Sequence, residues 1–486
     1  MAVTSTTGTI SSPGLSSGLD VDGIIQKLVA LERQPITNLQ TDAKKLSSKL
    51  SSWGQVKSAM STLRDAALAL NKSDTWGAKI ATSGDNSITV SADATAAAGS
   101  YSVEVLNTAS SQSLATNKYF ASDSAVVGTG TLTIQMGTWN ADQSAFTADS
   151  SRAALNITIG SGENTLAGIR DKINAAGGQV TASIVTDSSG SRLVLRGPSG
   201  ESNGFTVGVS GDSTGTDTDA DGLSALAFNP ASGVNSMAQS QAAADAKVKI
   251  NGLTVTSKTN EITAVNGVSI KVSQKTTTPI GVSVDTDKES ISKAITAFAT
   301  AYTAVANLIK TQTAYNSETK VAGTLQGDAT ARTLQSQLRT LVGSDSGAST
   351  VYKRMSDIGL SVQADGSLTV NSSKLNTALS SGLAEVKKLF ANSDVSNAAN
   401  DGMSQRMRAL ADNVLGAEGS VTTRSAGIQS SIDRNNDRQE ELEDRVAKVE
   451  ARLRAQYTAL DASLAQLNSL STYVTQQLSV LNNSSS

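Results

Sequence analysis

Histidine and cysteine are both absent from this chain of 486 residues. Their absence excludes Ser–His–Asp and Cys–His nucleophilic machinery, zinc sites built on His or Cys, an axial haem histidine and every disulfide. Catalysis by Asp, Glu, Lys or Tyr is still open. Aromatic residues make up only 3% of the chain, thin material for stacking sugars or bases. Charge of one sign is also lacking: 40 Lys and Arg face 43 Asp and Glu, a net charge of −3 that gives no support for nucleic-acid binding. No apolar run approaches the 18 or so residues a membrane-spanning helix needs, so no membrane insertion is expected. The opening MAVTSTTGTISSPGLSSGLDVDG has neither the basic start nor the apolar stretch of a secretory signal. Absence of cysteine suits a chain that is exported or packed at high copy and must not cross-link. Proline occurs five times and never after Pro279, which leaves about two hundred residues free for uninterrupted helix.

At about 150 residues per domain the length suggests roughly three domains. Both ends read as helix. Leu39, Ala43, Leu46, Leu50, Trp53, Val56, Met60, Leu63, Ala67 and Leu70 recur in steps of three and four, the period of an amphipathic helix. A shorter set, Ile24, Ile25, Leu28, Val29 and Leu31, precedes it, with Asp20 or Asp22 as N-cap. Pro35 is expected to divide the two by disfavouring helical geometry at Gln34. The C-terminus carries the longest seam, through Leu442, Val446, Val449, Leu453, Tyr457, Leu460, Leu464, Leu467, Leu470, Val474, Leu478 and Leu481. It spans about 40 residues and predicts a helix about 60 Å long. Its partner is either the N-terminal helix or an assembly interface. Both readings stand, because they use different faces of the same helix.

Between the ends the apolar period changes to two. Ile88, Val90 and Ala92 alternate, as do Tyr101, Val103 and Val105, Leu132, Ile134 and Met136, and Leu155, Ile157 and Ile159. Asn251–Gly252 and Asn266–Gly267 each separate alternating runs, which predicts two hairpins. One helix interrupts, with Leu166, Ile169 and Ile173 on one face and a stop at Gly177–Gly178. After Pro279 the pattern predicts helices over SISKAITAFATAYTAVANLIK and over GDATARTLQSQLRTLVG, the latter with Asp328 as cap. A strand pair turns at Asp365–Gly366, and helix resumes over KLNTALSSGLAEVKKLF. Residues 119–245 hold twelve acidic and five basic residues, so this stretch is near −7 and the remainder near +4.

The fold class that follows is α+β and multidomain: a long helical coiled-coil stalk formed by the N- and C-terminal segments, with two β-rich domains inserted between them. The expected divisions are a terminal leg (1–45 and 430–486), a helical stalk domain with a small β unit (46–78 and 286–429), an inner β domain (79–118 and 246–285) and an outer one (119–245).

The strongest candidate for chemistry is Asp217, Asp219, Asp221, Gly222, the first half of a calcium loop. A bidentate Glu is required at the twelfth loop position, where Phe228 stands, so the stretch reads as a solvated acidic tip. The glycine-rich GPSGESNGFTVGVSG lacks the lysine of a phosphate-binding loop and leads into no helix. No pair of carboxylates stands at a spacing that suggests a general acid and base. No enzyme activity, cofactor or metal is expected.

Four segments carry a family resemblance: SSPGLSSGLDVDGIIQKLVALERQPI (11–36), NTLAGIRDKINAAGGQVTASIVTDSSGSRLVLRGPSG (164–200), IGLSVQADGSLTVNSSKLNTAL (358–379) and YTALDASLAQLNSLSTYVTQQLSVL (457–481). In this order they resemble the bacterial flagellar filament-capping (flagellar hook-associated protein 2) family. The resemblance implies export through the flagellar type III channel and an extracellular place at the distal tip of the flagellum. It implies a plate of about four to six identical subunits on helical legs, beneath which flagellin folds and inserts. Implied partners are the chain itself, flagellin, the hook–filament junction proteins and a cytoplasmic export chaperone. Leu15, Leu19, Val21, Ile24 and Leu28 match the opening motif and would face filament subunits. Leu453, Tyr457, Leu460, Leu464, Leu467, Leu470 and Val474 would line the leg. Leu460, Leu464, Leu467, Leu470, Tyr473 and Val474 fall where the chaperone would bind. The alternatives are a surface adhesin whose acidic β domains bind host glycans or mucin, and, last, an Asp/Glu hydrolase.

Overall fold

The switch between apolar periods is where the fold divides. In a computed structural model describing residues 20–483, the chain forms two compact units: Met1–Trp76 together with Ile291–Ser486, and Gly77–Ser290. Helices α1 (Val21–Glu32), α2 (Gln34–Asn71) and α3 (Ser73–Gly77) come first, and α4 (Leu166–Ala175) lies among the strands. Then follow α5 (Lys288–Thr313), α6 (Ala329–Gly343), α7 (Ser372–Ser381), α8 (Leu383–Ala391), α9 (Met403–Leu415) and α10 (Ser420–Asn483). The architecture is α+β, as the patterning predicts.

In the helical unit, Trp53, Val56, Met60, Leu63, Ala67 and Leu70 of α2 are fully buried. They share a core with Ile291, Ile295, Phe298, Tyr302, Val305 and Ile309 of α5, and with residues of α6, α9 and α10. Asp20 caps α1 by accepting the Gly23 N–H at 2.9 Å. The break before α2 falls at Arg33, while Gln34 and Pro35 are already helical. Proline is tolerated there because the first turn leaves its N–H positions unbonded in any case. Asp328 caps α6 as expected, accepting the Thr330 N–H at 3.0 Å. The helix expected over 374–390 is divided at Gly382, where an added Cβ would meet the Tyr352 ring at 3.2 Å. At 64 residues and about 1.5 Å each, α10 runs about 96 Å, well beyond the length expected, because the helix begins at Ser420, where Val421, Ile428 and Ile432 pack into the large core among polar residues.

The β-rich unit holds two cores. One lies in an antiparallel five-stranded sheet and a three-stranded sheet, drawn from residues 79–107 and 246–286. The other lies between a six-stranded sheet, a four-stranded sheet and α4, whose Leu166, Ile169 and Ile173 are completely buried. The two Asn–Gly turns differ. Asn251 and Gly252 both have positive φ (48° and 84°), the arrangement of a two-residue hairpin turn, and Ile250 pairs with Leu253. At the second turn only Gly267 has positive φ (72°), and Val265 pairs with Val268 beside a register shift.

Candidate assembly interface

The longest apolar seam belongs to α10, and the structure divides its partners. α1 runs antiparallel to α10: Asp22 pairs with Arg454 at 3.0 Å and Arg33 with Glu443 at 3.4 Å, eleven residues apart on each helix. Alongside these half-exposed ion pairs, Val21, Ile25, Val29 and Ile36 form a small core with Val446, and Leu442, Leu453 and Tyr457 pack on its edge. The ion pairs set register rather than stability, since solvent screens them. Glu450 is the larger of two acidic partners that hold the Arg454 guanidinium protonated, and Asp22 is the second.

Beyond Tyr457 the seam loses its partner among the described residues. Leu464 is half-buried, whereas Leu460, Leu470, Tyr473 and Val474 are exposed and Leu467 is 60% exposed. Leu478 extends the same exposed stripe. Its polar neighbours turn inward on their own helix: the Thr458, Ser463, Thr472 and Thr475 hydroxyls each donate to the carbonyl four residues back. Hydroxyls bonded in this way leave the apolar side chains as the stripe's main offering to a partner.

Of the expected N-terminal residues, Val21 is buried against α10, Ile24 is half-buried and Leu28 is 39% exposed. Leu15 and Leu19 lie outside the described residues. Ile25, Val29 and Ile36 were not expected as interface residues, yet they make the contact with α10. Their spacing of four and seven was the available signal.

The acidic loop has a local task. Asp219 accepts the Thr216 N–H at 2.7 Å, the Asp221 N–H at 3.0 Å and the Ser224 hydroxyl at 2.8 Å. These bonds, led by the Thr216 N–H, pull its pKa down to about 2. Asp217 accepts the Asp212 N–H at 2.9 Å, and Asp221 pairs with Lys118. The three carboxylates therefore point to different partners and do not converge. No group of three or more acidic side chains is arranged for a metal among the described residues.

Comparison with known proteins settles the family. Residues 17–112 match the model of the flagellar hook-associated protein 2 N-terminus, and residues 243–469 match that of its C-terminus. The B-type flagellar hook-associated protein 2 of Pseudomonas aeruginosa is 30% identical, with 96% of this chain aligned to 98% of that protein. This chain belongs to the flagellar hook-associated protein 2 family. The Escherichia coli K12 member is 29% identical over 98% of this chain and 99% of its own length. Among solved structures, the D1-D2-D3 domains of the flagellar cap protein FliD from Escherichia coli superpose with a TM-score of 0.59 at 26% identity. That match covers 78% of this chain and 99% of the other. Residues 113–242, most of the acidic outer β region, lie between the two family-model matches.

Proposed function

We propose that this chain is a subunit of the flagellar filament cap. The observation that carries the reading is near end-to-end similarity to flagellar hook-associated protein 2, joined to an α+β fold like that of a flagellar cap protein. In this reading the chain leaves the cell by flagellar type III export and sits extracellularly at the distal tip. About four to six copies form a closed ring, as cyclic assemblies do. Segments 1–45 and 430–486 form coiled-coil legs, 46–78 with 286–429 the stalk domain, and 79–118 with 246–285 and 119–245 the plate. The exposed stripe from Leu460 to Val474 supports an interface role, because an apolar helical face of this length is costly to leave in water. Leu15, Leu19, Val21, Ile24 and Leu28 would meet filament subunits or the hook–filament junction proteins. The export chaperone would cover Leu460, Leu464, Leu467, Leu470, Tyr473 and Val474 before secretion. Flagellin would fold and insert beneath the plate. No observation favours the glycan-binding alternative.

The test is gene deletion with complementation. Loss of the gene leaves bare hooks and flagellin monomer in the medium. Wild type restores filaments, whereas Leu464→Asp/Leu467→Asp does not, because the charges land on the seam. Since Leu464 is half-buried and Leu467 exposed, the purified double variant keeps the wild-type melting profile. Normal filaments in the deletion strain would refute the cap reading. Restored filaments with the double variant would refute the interface.

A further inference from the structure

The helical unit contains two separate apolar cores along the same antiparallel helix pair. The large core ends at Leu46 and Leu50 of α2 and at Ile428 and Ile432 of α10. The small core resumes at Ile36 of α2 and at Leu442 and Val446 of α10. Ten residues of α10, about 15 Å, separate Ile432 from Leu442. Within that gap the inward positions of α10 are Asn435 and Gln439, both half-buried. The Gln439 side-chain N–H donates to Asn435 Oδ1 at 2.5 Å, so the two polar groups bond along their own helix instead of reaching across. The antiparallel direction marked by the Arg33–Glu443 pair brings the stretch of α2 between Ile36 and Leu46, which holds Leu39 and Ala43, alongside this gap. Leu39 and Ala43 are half-buried and belong to neither core.

We infer that this stretch, with Asn435 and Gln439 on α10 and Leu39 and Ala43 on α2, is a hinge at which the paired helix ends open and swing independently of the large core. Three physical reasons meet here. Asn435 and Gln439 bring polar groups to the inward face of α10 where the cores on either side bring apolar ones, so this stretch buries less apolar surface and contributes least to holding the helices together. Polar residues in a helical seam fix register at a cost in stability, and two in adjacent layers concentrate that cost in one place. Cooperative units divide where buried apolar contacts are fewest. The inference concerns the free chain and stands whether or not the chain caps a flagellum.

Hydrogen exchange on the full-length protein tests it. Amides of α1 and of α10 from 442 to 455 are expected to exchange together, about tenfold or more faster than those from 421 to 432, with the step between 435 and 439. Asn435→Leu/Gln439→Leu joins the two cores and removes the step, slowing the distal amides toward the proximal rate. Ala43→Leu, which adds apolar surface to the same stretch from the opposite helix, slows them as well. Simple fraying predicts a smooth gradient that neither variant interrupts, and that result overturns the inference. Uniform protection across 421–455 in the wild type overturns it too.

Discussion

Asp328 joins two parts of the helical unit, and its removal gives a prediction with a worked size. Its carboxylate caps α6 through the Thr330 N–H and accepts two bonds from the Arg424 guanidinium of α10, both at 2.9 Å. The Asp328 side chain is 4% exposed and that of Arg424 is 42% exposed. Loss of an N-cap costs about 1 kcal/mol. The ion pair, buried on one side and solvated on the other, contributes about 1 kcal/mol after screening. Asp328→Ala is therefore expected to destabilise the helical unit by about 2 kcal/mol, which lowers its melting temperature by about 4–8 °C at this size. Asp328→Asn keeps a carbonyl oxygen for the cap and loses the charge, so it costs about half as much. Arg424→Ala also costs about 1 kcal/mol, and the double variant with Asp328→Ala shows coupling of that order. Differential scanning calorimetry on the full chain is the assay. The transition of the Gly77–Ser290 unit serves as internal reference and stays in place. Equal melting temperatures for the Ala and Asn variants would refute the division between cap and ion pair. A shift below about 1 °C for Asp328→Ala would refute both.

Val446→Asp puts a charge at a position 2% exposed in the small core, so α1 should lose hydrogen-exchange protection while the large core's melting transition stays in place. Gly267→Ala is expected to cost more than Gly252→Ala in denaturant unfolding. Both have positive φ, about 1 kcal/mol each, but a Cβ at Gly267 would come within 2.5 Å of the Ala96 nitrogen while one at Gly252 meets nothing within 4 Å. The Asp219 pKa near 2 lies below its ordinary 3.8, so its contribution to loop order is fully present above about pH 4 and is lost as pH falls through about 2. Amide exchange of Thr216 and Asp221, compared between wild type and Asp219→Asn, should converge as pH falls from about 4 through about 2; a difference that does not shrink over that range contradicts the assignment.

Local chemistry made most individual elements legible. Asp20 and Asp328 are caps because a short carboxylate before an apolar run meets the first free N–H groups of a helix. Leu166, Ile169 and Ile173 share a face because of helical period alone. Asn251–Gly252 makes its hairpin because those residues accept positive φ with the least strain. The α9 helix was not legible. Its buried Met403, Met407, Ala411 and Val414 follow helical spacing, but alanine and methionine carry too weak an apolar signal to stand out from Ser- and Asn-rich surroundings.

The seam of α10 shows where sequence stops and tertiary structure decides. Its twelve apolar positions determine a helix with one sticky face, since period depends only on neighbours along the chain. They also carried the family resemblance. They contain nothing that separates Val446, enclosed by α1, from Leu467, left open, because both occupy equivalent positions in the same repeat. That division is set by where α1 stands along α10, which the Asp22–Arg454 and Arg33–Glu443 pairings fix across more than four hundred residues of intervening chain. Likewise Asn435 and Gln439 read as ordinary polar filler until the register of the antiparallel pair turns them inward between two cores. Burial is a property of the partner as much as of the residue, and only the packed structure names the partner.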